Sequence, residues 1–462
     1  MSTPEVTFII PLYNAAETID RTMISVLAQT VRTFEVLLVD DGSSDGTLAA
    51  AQKWAAKDAR VKVLQNPCNQ GVSAARNRGL DHAGGEFVRF IDADDTIPEK
   101  STAKMTAIAK AENADMVMGV MRRISAAGAY NYGRTVRAAR RKKLDRYDEN
   151  LIHSFSVCNK LFRRAVIEAH GIRFAAYRHA EDGLFLYEFL QYTNHLCGYA
   201  GVAYIYYKPE FYEAPVTTTQ HLTKEMLEGV LTIADRILAM HPEAPQRFRD
   251  DFRARVLGIT LINEYYRKIW RLDPDALELL MQVIPVYWEQ LPEKQRKDVL
   301  AMNRDLPAPD ELGLPEEICS RPLFTVVIGS GVTAAHLPAL LASLYYQKVP
   351  YFNVVLAPCW KEHVPQEYQA MRNLSVGELD AFLSREQTGQ IVRVEEDVLF
   401  TYESLSRALT HLPADSGAVS ADKIGLTPGT QAAGPVDDPP LKGQLQVCGS
   451  IAKLRLKQFL GR

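Results

Sequence analysis

Apolar runs and amphipathic stretches alternate along the first part of the chain, a pattern that predicts an α/β fold with a mostly parallel sheet flanked by helices. Val6-Thr7-Phe8-Ile9-Ile10 is β-branched and apolar on both faces, as a buried parallel strand requires, and is expected to stop at Pro11. Ile19, Met23, Val26 and Leu27 then recur at helical spacing. A second strand follows over 34–39, closed by the turn Asp40-Asp41-Gly42-Ser43-Ser44-Asp45-Gly46. A helix over 47–56, a strand over 61–64, a helix over 72–83 and a strand over 86–91 continue the series. The last strand ends directly on Asp92-Ala93-Asp94-Asp95. In an open parallel sheet a ligand binds outside the carboxyl ends of the strands, and Tyr13-Asn14, Asp40-Asp41 and Asp92 to Asp95 all fall at that edge. Turn chemistry alone accounts for one such end, because Asp and Asn favour turns; three in succession favour a site.

From about Thr223 to Met302 the spacing becomes that of long helices, with Pro242, Pro274, Pro285 and Pro292 as punctuation. The Pro-rich stretch 306–315 predicts a linker. Beyond it, Phe324 to Cys359 lies without a gap on Val6 to Asp41, with identities at Thr325, Ile328, Ala334, Ser343, Gln347, Phe352, Val354 and Leu356. This is the mark of an internal repeat. Its chemistry is lost: Pro11, Tyr13 and Asn14 become Gly329, Gly331 and Val332, and Asp40 and Asp41 become Pro358 and Cys359. Ser420-Ala421-Asp422 is read as the remnant of Asp92-Ala93-Asp94. The expected organisation is an α/β domain over 1–222, a helical region over 223–305, a linker over 306–322 and a degenerate copy of the first domain over 323–462.

Composition narrows the function classes. The 462 residues carry a net charge of −3 and are 47% apolar, the profile of a soluble globular chain without the positive field that an obligate nucleic-acid partner needs. Six cysteines without a C-x-x-C pair indicate neither a zinc site nor a redox motif, and a reducing compartment is expected. No signal-peptide pattern opens the chain and no apolar run is long enough to span a bilayer, so a cytoplasmic location is expected. The composition leaves room for a homo-oligomer.

The chemistry concentrates on carboxylates. Asp92 and Asp94 follow a strand and share one face, an arrangement suited to a hard divalent cation such as magnesium or manganese that completes its shell with water and phosphate oxygens. Glu181 and Asp182 open a predicted helix whose Leu184, Phe185, Tyr187 and Phe189 turn inward; acids in a first helical turn also simply favour the macrodipole. The basic run 134–143 reads as a solvated loop, and both it and the basic tail 453–460 are candidates for peripheral contact with an anionic membrane. No G-x-G-x-x-G follows the first strand, which disfavours a dinucleotide-dependent oxidoreductase.

Pro11-Leu12-Tyr13-Asn14, Asp40-Asp41-Gly42-Ser43, Asn69-Gln70-Gly71-Val72-Ser73-Ala74-Ala75-Arg76-Asn77 and Phe90-Ile91-Asp92-Ala93-Asp94-Asp95, in that order, resemble the successive signatures of family 2 glycosyltransferases of the GT-A fold. The likeness extends less tightly through Cys158-Asn159-Lys160-Leu161-Phe162 and Glu181-Asp182-Gly183-Leu184-Phe185, and covers roughly residues 4 to 210. It implies a nucleotide-sugar site in which Pro11, Tyr13 and Asn14 border the base, Asp41 accepts from the base edge and Arg76 lies near the base or diphosphate. Asp92, Ala93 and Asp94 would meet the ribose and metal. It further implies that Asp94 and Asp92 ligate Mn2+ or Mg2+, with His221 a further ligand candidate. Asp182 would be the catalytic base, with Glu181 beside it, and Asn159 and Lys160 would line the acceptor side. Plainer readings stand next to these: Tyr13 capping the sheet, Asp41 opening a turn, Arg76 a solvated helix residue, Lys160 a surface lysine. The activity implied is metal-dependent, inverting transfer of a sugar from a nucleotide diphosphate, UDP expected, to a glycan or lipid-linked saccharide, as in bacterial surface polysaccharide assembly. The competing class is a non-catalytic glycan-binding or scaffold protein.

Overall fold

The computed structural model describes residues 3–125, 128–207, 222–378, 390–400, 404–405, 419–420, 426–428, 444–445 and 447–448. The chain divides into two compact units, 1–208 with 225–252, and 209–224 with 253–462. The region 223–305, expected as one helical block, is therefore shared between them.

In the first unit, strands β1 (Val6–Leu12), β2 (Phe34–Asp40), β3 (Val61–Gln65) and β4 (Phe87–Phe90) alternate with helices α1 (Ile19–Leu27), α2 (Thr47–Lys57) and α3 (Val72–His82). The four strands lie parallel in the order β3-β2-β1-β4. β1 and β2 are buried along almost their whole length, as strands covered on both faces must be. Pro11 does not end β1. It stays in the strand opposite Val39, because the parallel ladder continues to the Leu12–Asp40 pair.

Next come α4 (Ser101–Ala111), β5 (Met116–Ser125), β6 (Gly128–Asn131), α5 (Gly133–Ala139), β7 (Lys160–Arg163), α6 (Arg164–Ala169), α7 (Glu181–Gln191) and β8 (Leu196–Tyr207). β7 enters the sheet antiparallel, between β4 and β5, and β8 pairs parallel with β5. The stretch 134–143, expected as a loop, is partly helical. Thr135, Ala138 and Ala139 bury one side of α5, whereas Arg140, Arg141, Lys142 and Lys143 stay exposed. Arg141 pairs with Asp148 and Lys142 with Glu112 at 2.9 Å. α8 (Lys224–Met240) and α9 (Gln246–Arg255) follow. Among the described residues no helix is long and apolar enough to cross a membrane, and the basic tail 453–460 lies outside them.

The second unit contains α10 (Pro274–Glu289), α11 (Glu293–Met302) and α12 (Pro315–Ser320). Pro274 starts α10 and Pro292 precedes α11, where a missing N–H costs nothing, but Pro285 lies inside α10. The stretch expected as a linker buries Leu306, Pro309, Leu312, Pro315 and Ile318. A sheet of β9 (Phe324–Ile328), β10 (Phe352–Leu356), β11 (Leu374–Val376) and β12 (Gln390–Val394) follows, parallel in the order β11-β10-β9-β12, with α13 (Leu337–Leu344) after β9.

This order is that of β3-β2-β1-β4, and the registers coincide. Val6 pairs with Phe34 and Phe87; Phe324 pairs with Phe352 and Gln390. Side chains agree as well. Ser25 Oγ donates to Thr22 O and Gln29 Nε2 to Ser25 O; Ser343 Oγ donates to Leu340 O and Gln347 Nε2 to Ser343 O. Ser25 and Gln29 accept from the main-chain N–H of Ile97 and Thr102, as Ser343 and Gln347 accept from those of Phe400 and Leu405. Counting from these pairs, Glu395-Glu396-Asp397 occupies the place of Asp92-Ala93-Asp94. That corrects the reading of Ser420-Ala421-Asp422: Ser420 lies in a short strand, and Asp422 lies outside the described residues.

Candidate active site

The carboxyl ends of the neighbouring strands β2, β1 and β4 form one rim. Asn14, in the left-handed region at φ 48°, accepts from Ser44 N at 2.9 Å and donates its N–H to Ser43 Oγ at 3.1 Å, which ties the end of β1 to the turn after β2. Gly42 is needed there: at φ 70° its missing Cβ lets the 68–69 backbone approach to within 2.6 Å of where a Cβ would stand. Tyr13 is half exposed and Pro11 partly so. Asp41 is buried. Its oxygens accept from Asn66 Nδ2 and Gly71 N at 2.7 Å and from Gln70 N at 3.1 Å, so it organises the 66–71 loop from which α3 starts.

Arg76, on α3, is where the acids converge. Its side chain is only 5% exposed, so it is not a solvated helix residue. Nη2 donates to Asp92 Oδ1 at 3.0 Å, and Nη1 to Asp182 Oδ1 at 2.7 Å and Glu181 Oε1 at 3.3 Å. The guanidinium also faces the Phe174 ring, 5.1 Å from its centroid. The planar fork thereby joins the end of β4 to the first turn of α7.

α7 is brought there by two backbone devices. Ala180 adopts φ 67°, a strained conformation for a residue with a Cβ, and turns the chain sharply into Glu181-Asp182. Gly183 lies against Phe155, where a Cβ would stand 2.5 Å from the ring. Leu184, Phe185, Tyr187 and Phe189 are fully buried and anchor the helix. Asp182 Oδ2 accepts from Val157 N at 3.2 Å. Burial pushes the Asp182 carboxyl up against the pull of Arg76, and burial with the Asp182 charge pushes Glu181 to about 7.

Asp92 Oδ2 accepts the Cys158 thiol at 3.4 Å, and the Asp92 N–H donates to Tyr204 Oη at 3.2 Å. Tyr204 in turn donates to Asp95 Oδ2 at 2.5 Å, and Tyr207 N to Asp95 Oδ1 at 2.7 Å. Burial, with Asp94 and Asp92 nearby, pushes Asp95 to about 9. Thr22 Oγ1 donates to Ala93 O and Asp95 O at 2.8 Å and pins the turn from α1. Asp94 is the exposed acid of the group. The rim that partly desolvates its carboxyl, together with the Asp92 charge, raises it to about 6. Asp94, exposed, and Asp92, partly exposed but already engaged by Arg76 and Cys158, are hard oxygen donors of the kind a divalent cation takes when phosphate and water supply its remaining ligands. Among the described residues no group of three His, Cys, Asp or Glu is placed to hold a metal, and His221 lies outside them.

Asn159 and Lys160 are fully buried, so Lys160 is not a surface lysine. Asn159 Nδ2 donates to Gly119 O at 2.7 Å, and Lys160 Nζ to the carbonyls of Ser154 at 2.7 Å and Ser156 at 2.5 Å. The sequence reading passed over Cys158, Tyr204 and Asp95. Cys158 stands inside the segment that resembles the family. Tyr204 is one of several tyrosines in an apolar strand, and nothing in their spacing singles it out.

Residues 7–171 match the model of Glycosyl transferase family 2. The matched segment holds Arg76, Asp92, Asp94 and Lys160, while Glu181 and Asp182 follow it. TarP of Staphylococcus aureus strain N315, a poly(ribitol-phosphate) beta-N-acetylglucosaminyltransferase, is 32% identical over 40% of this chain and 57% of its own. The succinoglycan biosynthesis protein ExoO of Rhizobium meliloti strain 1021 is 30% identical over 47% and 65%. The cholesterol galactosyltransferase of Borreliella burgdorferi is 39% identical over 24% and 31%. The chain thus spans about a third to two thirds of the length of these curated relatives. Among solved structures, S. aureus TarS 1-349 in complex with UDP is similar at TM-score 0.51 and 23% identity, over 63% of this chain and 82% of that one. This likeness shows the GT-A α/β fold.

Arg76 should be indispensable to this arrangement. Arg76→Met leaves Asp92, Glu181 and Asp182 without their shared cation and is expected to cost about 3–5 kcal/mol of stability near neutral pH. The sign follows from linkage. Without Arg76 the Glu181 and Asp182 carboxyls, already raised by burial, rise further above their unfolded values, so the folded variant keeps protons that the unfolded chain has released, and its stability falls as pH rises from about 4. Denaturant unfolding at pH 5 and pH 8 checks this; a loss equal at both would contradict it.

Proposed function

We propose that the chain is a metal-dependent, inverting glycosyltransferase that moves a hexosyl or N-acetylhexosaminyl group from a UDP-sugar to a glycan or lipid-linked saccharide. The observation that carries this reading is Arg76, which joins the acid at the end of β4 to the acids opening α7 and so unites a donor-binding rim and a candidate base in one crevice. The donor class is supported by TarS, solved with UDP and with UDP-GlcNAc, and by the reaction named for TarP.

Pro11, Tyr13 and Asn14 line the base side, and Asp41 builds the loop beneath it. Asp94 and Asp92 hold a manganese or magnesium ion, which when bound neutralises the diphosphate. Asp182 takes the proton of the acceptor hydroxyl as that oxygen attacks the anomeric carbon. The bond to the diphosphate breaks, UDP departs with the electron pair, and one displacement inverts the configuration. A raised carboxyl pKa strengthens Asp182 as a base, and Glu181 keeps the charge near it. Arg140 and Lys143, exposed beyond α5, are the cations that would meet an anionic membrane or lipid diphosphate at the inner face of the membrane.

The second unit is a degenerate copy without transferase chemistry. Gly329 and Gly331 stand in the places of Pro11 and Tyr13, and the backbone and side chain of Glu395 pack against them where Cβ atoms would otherwise lie. Asp397 accepts from Thr333 N at 2.7 Å and Thr333 Oγ1 at 2.8 Å, so it is engaged at the start of the α13 turn.

Two results test this reading. Asp182→Asn should lower kcat at least about 100-fold while UDP-sugar affinity with manganese changes by less than about threefold, whereas Asp94→Ala should weaken that affinity about tenfold or more. Radiolabelled transfer and calorimetry check both, and equal losses from the two variants would remove the division of roles. Calorimetry of the full chain with manganese should also find one UDP site, weakened in Asp94→Ala and untouched in Glu395→Ala; a second equivalent would show the copy to be competent.

A further inference from the structure

Lys160 has no place in the proposed chemistry, yet it is among the largest fully buried side chains of the protein. It starts β7, the antiparallel strand between β4 and β5, opposite Met118. Its ammonium donates to Ser154 O at 2.7 Å, Ser156 O at 2.5 Å, Asn159 Oδ1 at 3.0 Å and Ser154 Oγ at 3.3 Å. Neutral oxygens surround a charge taken out of water, and burial lowers its pKa to about 7. A cation so placed is costly, and a hydrophobe of similar volume would serve a purely structural role as well or better.

The segment that Lys160 gathers is the one that touches the acids. Val157 N donates to Asp182 Oδ2, Cys158 Sγ to Asp92 Oδ2, and Phe155 packs on Gly183 at the start of α7. We propose that Lys160 is a positioning residue: by clamping the Ser154 and Ser156 carbonyls from within the sheet, it fixes the 154–158 loop so that the Val157 N–H and Cys158 thiol orient Asp182 and Asp92. The role of Asp182 as base rests on the proposed function; the clamping of the loop does not.

Lys160→Met keeps the volume and removes the charge and its donors, and Lys160→Arg keeps a cation. In the full chain, hydrogen–deuterium exchange of 154–158 should become at least tenfold faster in Lys160→Met with β4 and β5 unchanged, while the melting temperature stays level or rises. kcat should fall 10- to 100-fold with KM for the UDP-sugar within threefold, and Lys160→Arg should recover part of the loss. Unchanged exchange in 154–158 overturns the clamp. A wild-type kcat in Lys160→Met, or parallel loss of kcat, UDP affinity and melting temperature, overturns the positioning role. If the wild-type chain transfers no sugar from any UDP donor, the proposed function fails, and exchange alone still decides whether Lys160 holds the loop.

Discussion

Three carboxylates brought together repel each other and resist desolvation, and Arg76 is the group that makes their meeting possible. Asp92 comes from the end of a sheet strand, and Glu181 and Asp182 come from a helix more than eighty residues later. One buried guanidinium reaches all three. The remaining features serve that contact. The left-handed Ala180 aims α7 at it, Gly183 lets the helix approach Phe155, Tyr204 holds the turn after β4, and Val157 fixes the far oxygen of Asp182. Burial raises the Glu181 and Asp182 carboxyls, and Arg76 opposes that rise while it holds them beside Asp92.

Much of this was legible in the sequence. Apolar runs such as 34–39 can only be buried strands, and the acids that follow β2 and β4 fall at the ligand-binding edge of any open parallel sheet, so elements and rim were located to within a residue or two. What the pattern could not give was the third dimension. Arg76 carries a charge on a helix, and only packing tells whether it faces water or carboxylates. Lys160 opens a strand, and its inward direction depends on the carbonyls of a loop without periodicity. Asp41 looks in the sequence like a ligand-binding or turn-opening acid, and only the hydrogen bonds show that it also organises the 66–71 loop. The run 134–143 looked like solvated charge because its small buried residues, Thr135, Ala138 and Ala139, carry little hydrophobic signal.

The sheet of the second unit repeats the strand order and register of β3-β2-β1-β4. Ser343 and Gln347 make the same hydrogen bonds as Ser25 and Gln29, because those bonds hold the helix after the first strand to the turn after the fourth, a need that belongs to the fold. At the strand ends the likeness stops: Gly329 and Gly331 stand at the positions of Pro11 and Tyr13, and Glu395 approaches them closely. The correspondence of Glu395-Glu396-Asp397 with Asp92-Ala93-Asp94 was overlooked in the sequence because fewer residues separate β10 from β12 than β2 from β4, which displaces it from the position that an ungapped comparison would search.

A crystal structure of the full chain grown with UDP and manganese tests the central claim most directly. The account predicts a nucleotide at the rim formed by Tyr13, Asn14 and Asp92, a manganese ion between its diphosphate and Asp94, and Arg76 still joined to Asp182. Nucleotide bound elsewhere, or bound at this rim with manganese remote from Asp94 and the Arg76–Asp182 pair broken, would contradict it.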